Sequence, residues 1–113
     1  WQNTAKKRKK RSNEYDGIYI MKDDQMKTIH VLVSGSVHGV GFRNFTVRCA
    51  QDCNIYGFVK NVPDGVEIIA EGDEKNIQTF LEHIKKGPPR ASVKHVATQT
   101  LPHQGFDSFN LLF

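Results

Sequence analysis

An α+β domain of the ferredoxin-like split βαβ type, an antiparallel sheet with two helices on one face, is the fold class that this sequence predicts. Three observations lead to it. Two stretches carry apolar residues at helical spacing, each opened or closed by glycine or a capping residue. Strand-like stretches lie between and around them, two of them joined by the tight turn Pro63-Asp64-Gly65. The order of alternation is β-α-β-β-α-β, followed by one more C-terminal strand. This fold hosts many functions, so the function has to be argued from a site.

Taken in order, Thr28–Ser34 is β-rich and reads as the first strand. After a glycine-rich turn, Phe42, Phe45/Thr46, Cys49/Ala50 and Cys53 recur at i, i+3/i+4, i+7/i+8 and i+11, one face of a helix from Phe42 to Asp52 that ends near Asn54. Gly57–Val62 and Val66–Glu71 read as hairpin partners. Asp73 is the expected N-cap of a second helix carrying Ile77, Phe80/Leu81 and Ile84, with Lys85 and Lys86 in its last turn. Gly87 stops that helix and Pro88-Pro89 keeps it from resuming. Ala91–Thr100 is the expected fourth strand, its alternation broken between Val93 and Val96. Leu101–Gly105 reads as a loop and Phe106–Phe113 as a fifth strand.

The chain of 113 residues, 38% hydrophobic and 25% charged, suits one soluble domain with a modest core. No apolar run approaches the ~20 residues of a membrane span, and no apolar core of a signal peptide follows the basic run near the N-terminus. A cytoplasmic protein is the expectation. The net charge of +4 is uneven, for residues 1–26 hold seven Lys or Arg against four acids and so account for three of those charges. Residues 27–113 are nearly neutral, which argues against a nucleic-acid-binding face on the domain itself. Lys6-Lys7-Arg8-Lys9-Lys10-Arg11 repels itself and buries nothing, so residues 1–26 read as a basic, disordered extension and 27–113 as the domain. The basic run is either a solvated addition or a tether to nucleic acid or another anionic surface. Tyr15–Met21 is more apolar and could add a short strand or pack on the domain, and Met21 or Met26 could each be a native start.

The stretch with chemical content is Gly35-Ser36-Val37-His38-Gly39-Val40-Gly41-Phe42-Arg43, at the junction of the first strand and the first helix. Glycines let the backbone approach a ligand, successive N–H groups make an anion nest, and the helix N-terminus adds partial positive charge. Arg43 brings a permanently charged fork that matches two oxygens of a phosphate or carboxylate. The spacing is neither Gly-x-x-x-x-Gly-Lys-Ser/Thr nor Gly-x-Gly-x-x-Gly. By itself the stretch is an anion cradle or a glycine turn with a surface arginine.

The pattern Gly35-x-Val37-x-Gly39-Val40-x-Phe42-Arg43 resembles the signature loop of the acylphosphatase family. The hairpin Gly57-Phe58-Val59-Lys60-Asn61-Val62-Pro63-Asp64-Gly65-Val66-Glu67 resembles the second block of the same family. Ala70-x-Gly72, Gly87-Pro88-Pro89-x-Ala91-x-Val93 and the strand containing Phe109 agree with it as well. The likeness runs from about Thr28 to Phe113. It implies hydrolysis of an acyl phosphate to a carboxylate and inorganic phosphate, without a metal or other cofactor. Arg43 and the N–H groups of Val37, His38, Gly39, Val40, Gly41 and Phe42 would bind the phosphoryl group, and Asn61 would orient the attacking water. The implied substrate is a small molecule, and a monomer is expected. One residue departs from the pattern, because the family usually has Gln where this chain has His38. Its imidazole is expected to be exposed and uninvolved, the alternative being an added pH dependence.

Other candidates are weaker. Cys49 and Cys53, four apart on one helix, suit a disulfide badly and read as a reduced core pair. His30, His38, His83, His95 and His103 are scattered, without the spacing of a zinc site. Asp64, Glu67 and Glu71 read as solvated surface. Two rival functions remain. A nucleic-acid-binding module would need stacking aromatics on the central strands, where Thr28–Ser34 has none. A non-catalytic anion- or partner-binding domain would not need both Arg43 and Asn61.

Overall fold

The computed structural model describes residues 26–113, which run β1 (Met26–Ser36), α1 (Phe42–Asp52), β2 (Tyr56–Val62), β3 (Gly65–Asp73), α2 (Glu74–Lys86), β4 (Ser92–Leu101) and β5 (Phe109–Leu111). The basic run, the Tyr15–Met21 stretch and the Met21 start lie outside the described residues. The strands form one sheet in the order β4-β1-β3-β2-β5. Alternation sends Ile29, Val31 and Val33 of β1, Val59 of β2, and Val66, Ile68 and Ala70 of β3 into one core with the helices. From α1 come Phe42, Cys49 and Ala50, and from α2 come Ile77, Phe80 and Ile84. The helices also touch each other, so both lie on the same face.

Local chemistry explains the helix ends. In α1 the Ile55 N–H donates to the Ala50 carbonyl at 2.8 Å and the Asn54 N–H to that of Gln51 at 3.4 Å, the two bonds of a Schellman stop. Asn54 takes the left-handed position at φ 56°, which asparagine tolerates better than most residues. Asp73 caps α2 as expected, its carboxylate accepting from the Lys75 N–H at 3.0 Å. The Gly87 N–H closes the other end on the His83 carbonyl at 3.0 Å. Between β2 and β3 the pair Val62↔Gly65 leaves a two-residue turn. Gly65 has φ 153° there, and a Cβ on it would meet the Val33 carbonyl oxygen of β1 at 1.9 Å. No larger residue could keep β1 and β3 paired at that point.

Two expectations change. The broken alternation of β4 is a bulge: the register passes from Ser34↔His95 to Gly35↔Val93 and skips Lys94, so Val93 and Val96 both pack on the core. The fifth strand is three residues rather than Phe106–Phe113, and it runs parallel to β2 while all the other pairs are antiparallel. The sheet is therefore mixed within the same ferredoxin-like α+β class. Phe106 is withheld from the strand because its N–H goes to Glu71 and its ring packs edge-on against Phe58, 6.1 Å between centroids.

Of the three acids that the sequence suggests are solvated, Asp64 is exposed as expected, whereas Glu67 and Glu71, on the face away from the helices, are half-buried and buried. Glu67 sits between His30, whose ring nitrogen is 2.8 Å away, and Lys60 at 3.4 Å. The bond to His30 outweighs desolvation and holds the Glu67 carboxyl below the usual range. Burial pushes Glu71 up, but the Thr28 hydroxyl and the backbone N–H groups of residues 104–106 overcome it and the carboxyl is again held low. Cys49 and Cys53 are free and buried. Burial, with the charge of Asp52 adding to it, pushes both thiols up and leaves them unreactive.

Phe80→Ala should cost about 3–5 kcal/mol of stability and Asp73→Ala about 1 kcal/mol, as read by urea unfolding. Both folded carboxyls have depressed pKa values, so their contribution is complete above the unfolded value of about 4.3 and is lost as pH falls through the lower folded values. The urea midpoint should drop between pH 5 and pH 3, and Glu67→Gln with Glu71→Gln should flatten that drop.

Candidate active site

The site grows out of the junction between β1 and α1. Val37 and Phe42 are each 2% exposed, their side chains sunk in the core, so the backbone between them arches outward from two fixed points. Gly39 at φ 71° and Gly41 at φ 76°, ψ 23° make the arch, a shape closed to most side chains at this cost. Gly41 is also the N-cap of α1, and no side chain bonds to the first-turn N–H groups. Those N–H groups face outward with the positive end of the helix behind them, and the first turn carries Arg43 and no acid.

A pocket of about 210 Å³ opens at this point. Val37, Gly39, Gly41, Phe42 and Arg43 line one side of it, and Asn61, from the end of β2, lines the other. The two blocks read from the sequence thus meet in one cavity. Asn61 follows Val59 on the helix-facing side of β2, and its amide makes no hydrogen bond to another described residue. Val40 is not in the lining; its side chain packs against the core.

His38 is not in the lining either; it is exposed as expected, but its imidazole is not uninvolved. The ring turns back over the loop and donates from Nε2 to the Gly65 carbonyl at 2.7 Å. That bond straps the cradle to the hairpin that carries Asn61, and it fixes the tautomer with the proton on Nε2. The ring therefore sets the spacing between the two halves of the site.

Sequence reasoning missed a third side of the pocket. Asn44, Leu111 and Phe113 also line it. The Arg43 Nη1 donates to the Leu112 carbonyl at 2.9 Å, and the guanidinium lies 5.1 Å from the centre of the Phe113 ring. One edge and one face of the fork are thereby met, and its other N–H groups make no hydrogen bond to another described residue. Asn44 comes with the first turn of α1, but no local signal marks Leu111 to Phe113, because it is the parallel pairing of β5 with β2 that delivers them.

Among the described residues no group of three or more His, Cys, Asp or Glu side chains is placed to hold a metal ion, and no helix is long and apolar enough to cross a membrane. On the face without helices the central strands carry His30, Leu32, Glu67, Ile69 and the buried Glu71, while Phe58 on β2 packs against Phe106. That face offers bases little to stack on and carries two acids.

Fold and site together define a small α+β domain in which a glycine arch, one arginine and two asparagines surround a small pocket. The model of a protein family described as Acylphosphatase matches residues 29–111. An acylphosphatase of Archaeoglobus fulgidus is 43% identical over 89 residues, which are 78% of this chain and 100% of that protein. Among solved structures, the acylphosphatase from Bacillus subtilis superposes with a TM-score of 0.75 at 36% identity, covering 77% of this chain and 99% of its own. One from Coxiella burnetii gives 0.78 at 33% identity, covering 83% and 100%. The chain belongs to the acylphosphatase family, hydrolases that act on acid anhydrides.

Removing the strap should loosen the cradle. His38→Ala is expected to weaken binding of inorganic phosphate by about 3- to 10-fold, the worth of one part-buried hydrogen bond, and His38→Gln, which keeps a donor, should recover most of it. Titration calorimetry on the three proteins checks this.

Proposed function

We propose that this chain hydrolyses acyl phosphates to a carboxylate and inorganic phosphate with Arg43 and Asn61 as its catalytic residues. The observation that carries the reading is the single pocket in which the glycine arch, Arg43 and Asn61 meet. The N–H groups from Val37 to Phe42 and the free edge of Arg43 bind the phosphoryl oxygens, and Asn61 holds water in line with the bond that breaks.

The chemistry suits so sparse a site. The leaving carboxylate has a conjugate acid of pKa about 4, so it departs without a general acid. Phosphoryl transfer passes through a loose transition state with charge spread over the equatorial oxygens, so positioning and fixed dipoles supply most of the rate. The attacking water passes its proton to a phosphoryl oxygen, and the products are phosphate and the free carboxylate. No side chain has to gain or lose a proton.

The site is complete within one chain, which supports a monomer, and its partner is the small-molecule substrate. The catalytic domain is residues 27–113, with residues 1–26 a basic extension that takes no part in the chemistry and does not give the domain a nucleic-acid function. Free, buried thiols accord with a cytoplasmic location.

The test is hydrolysis of benzoyl phosphate with EDTA present. Turnover by the wild type is expected, with a loss of about 10³-fold or more in Arg43→Ala by analogy with other transition-state arginines. Asn61→Ala should lose about 10²-fold with the fold intact. Full activity in either variant would remove that residue from the mechanism. A folded but inactive wild type would leave an anion-binding domain.

A further inference from the structure

β4 ends on one side of the sheet and β5 lies on the opposite edge, so the segment between them has to cross β1, β3 and β2. At about 4.8 Å between neighbouring strands, that crossing spans about 19 Å. The chain from Leu101 to Phe109 can extend to about 26–29 Å. The connection is thus about 7–10 Å longer than the gap, and its length does not decide where β5 sits. Three register pairs, Gly57↔Phe109, Phe58↔Asn110 and Val59↔Leu111, are a short ladder for an edge strand.

A carboxylate takes up the slack. Glu71 stands on β3, midway along the crossing, between Thr28 of β1 and Tyr56 of β2. It points to the face without helices yet is 1% exposed, because the loop lies over it. Its Oε1 accepts from the N–H groups of Gly105 at 3.0 Å and Phe106 at 2.9 Å. Its Oε2 accepts from the Gln104 N–H at 2.6 Å and from the Thr28 hydroxyl, with His103 Nδ1 3.3 Å away. A carboxylate so deeply buried is tolerable only when saturated with donors in this way. The phosphoryl chemistry makes no use of it.

Past the clasp, every link leads to the pocket. The Phe106 ring packs on Phe58. The Ser108 carbonyl accepts from the Gly57 N–H at 2.8 Å, and the Leu112 N–H donates to the Val59 carbonyl at 2.8 Å. The Leu112 carbonyl then takes the Arg43 Nη1. We infer that Glu71 is a positioning residue for the reaction: by pinning residues 104–106 to the sheet it seats β5, and through the Leu112 carbonyl it orients Arg43. The inference rests on the proposed role of Arg43.

Glu71→Gln keeps the shape and turns an acceptor into a donor that faces N–H groups. It is to be assayed with benzoyl phosphate alone and combined with Arg43→Ala, beside hydrogen exchange at the Leu112 amide. With Arg43 present, kcat should fall about 10-fold, a modest share of what an ångström of misplacement can cost. In the Arg43→Ala background it should fall no further, because the lost interaction is already gone. Leu112 exchange should quicken about 10-fold or more as β5 loosens. Losses that simply multiply, or unchanged kcat with β5 loosened, would overturn the inference. Should Glu71→Gln not fold, Thr28→Val removes one donor to the same carboxylate and should give a smaller loss with the same dependence on Arg43; independence from Arg43 would count against it. If the wild type does not turn over benzoyl phosphate, the functional reading fails by itself. Affinity for inorganic phosphate across the same variants then decides the pin, an Arg43-dependent loss supporting it and an unchanged affinity refuting it.

Discussion

The site depends on two apolar side chains buried at either end of one loop. Val37 and Phe42, each 2% exposed, hold the ends of the glycine arch in the core. Withdrawing either into water would cost about 1.5–3 kcal/mol, so the loop between them stays arched whether or not it is filled. In the proposed mechanism its N–H groups are aimed before the substrate arrives and need no reorganisation when charge moves onto the phosphoryl oxygens, which is where fixed dipoles are most effective. The His38 strap extends the same restraint to the hairpin bearing Asn61.

Arg43 is held differently. Its helix supplies the Cα, but the guanidinium is placed by the Leu112 carbonyl and the Phe113 ring, on a segment that follows a three-residue edge strand. The cradle is anchored by core packing and the arginine by a peripheral strand, so the two halves of the site differ in what secures them. The crossing loop and the carboxylate beneath it matter for that reason, although they lie at the far end of the sheet.

The placement of charge follows from the chemistry. A reaction whose leaving group needs no proton has no use for a carboxylic acid in the pocket, and one there would repel the phosphoryl group. Glu67 and Glu71 instead face the side of the sheet without helices, where each is compensated by hydrogen-bond donors and serves cohesion. The pocket is left with one permanent cation, backbone dipoles and two neutral amides.

Much of this was legible in the sequence. Apolar spacing, the Asp73 cap, the Gly87 stop and the Pro63-Asp64 turn act over a few residues, so the elements up to β4 fall within about two residues of where local chemistry puts them. The glycine arch with Arg43, and Asn61 in its hairpin, were also visible as residue patterns. Even the break between Val93 and Val96 was a true signal, and the bulge at Lys94 explains it. What only the tertiary structure decided are contacts between residues far apart in the chain: His38 with Gly65, Glu71 with residues 104–106, Arg43 with Leu112, and β5 laid parallel on β2. Residues 106–113 read as one strand in the sequence, and nothing local tells Phe106 to give its N–H to a carboxylate on another strand. Such bonds are chosen by which groups the packed sheet leaves unsatisfied, a property of the assembled core that no short stretch of sequence contains.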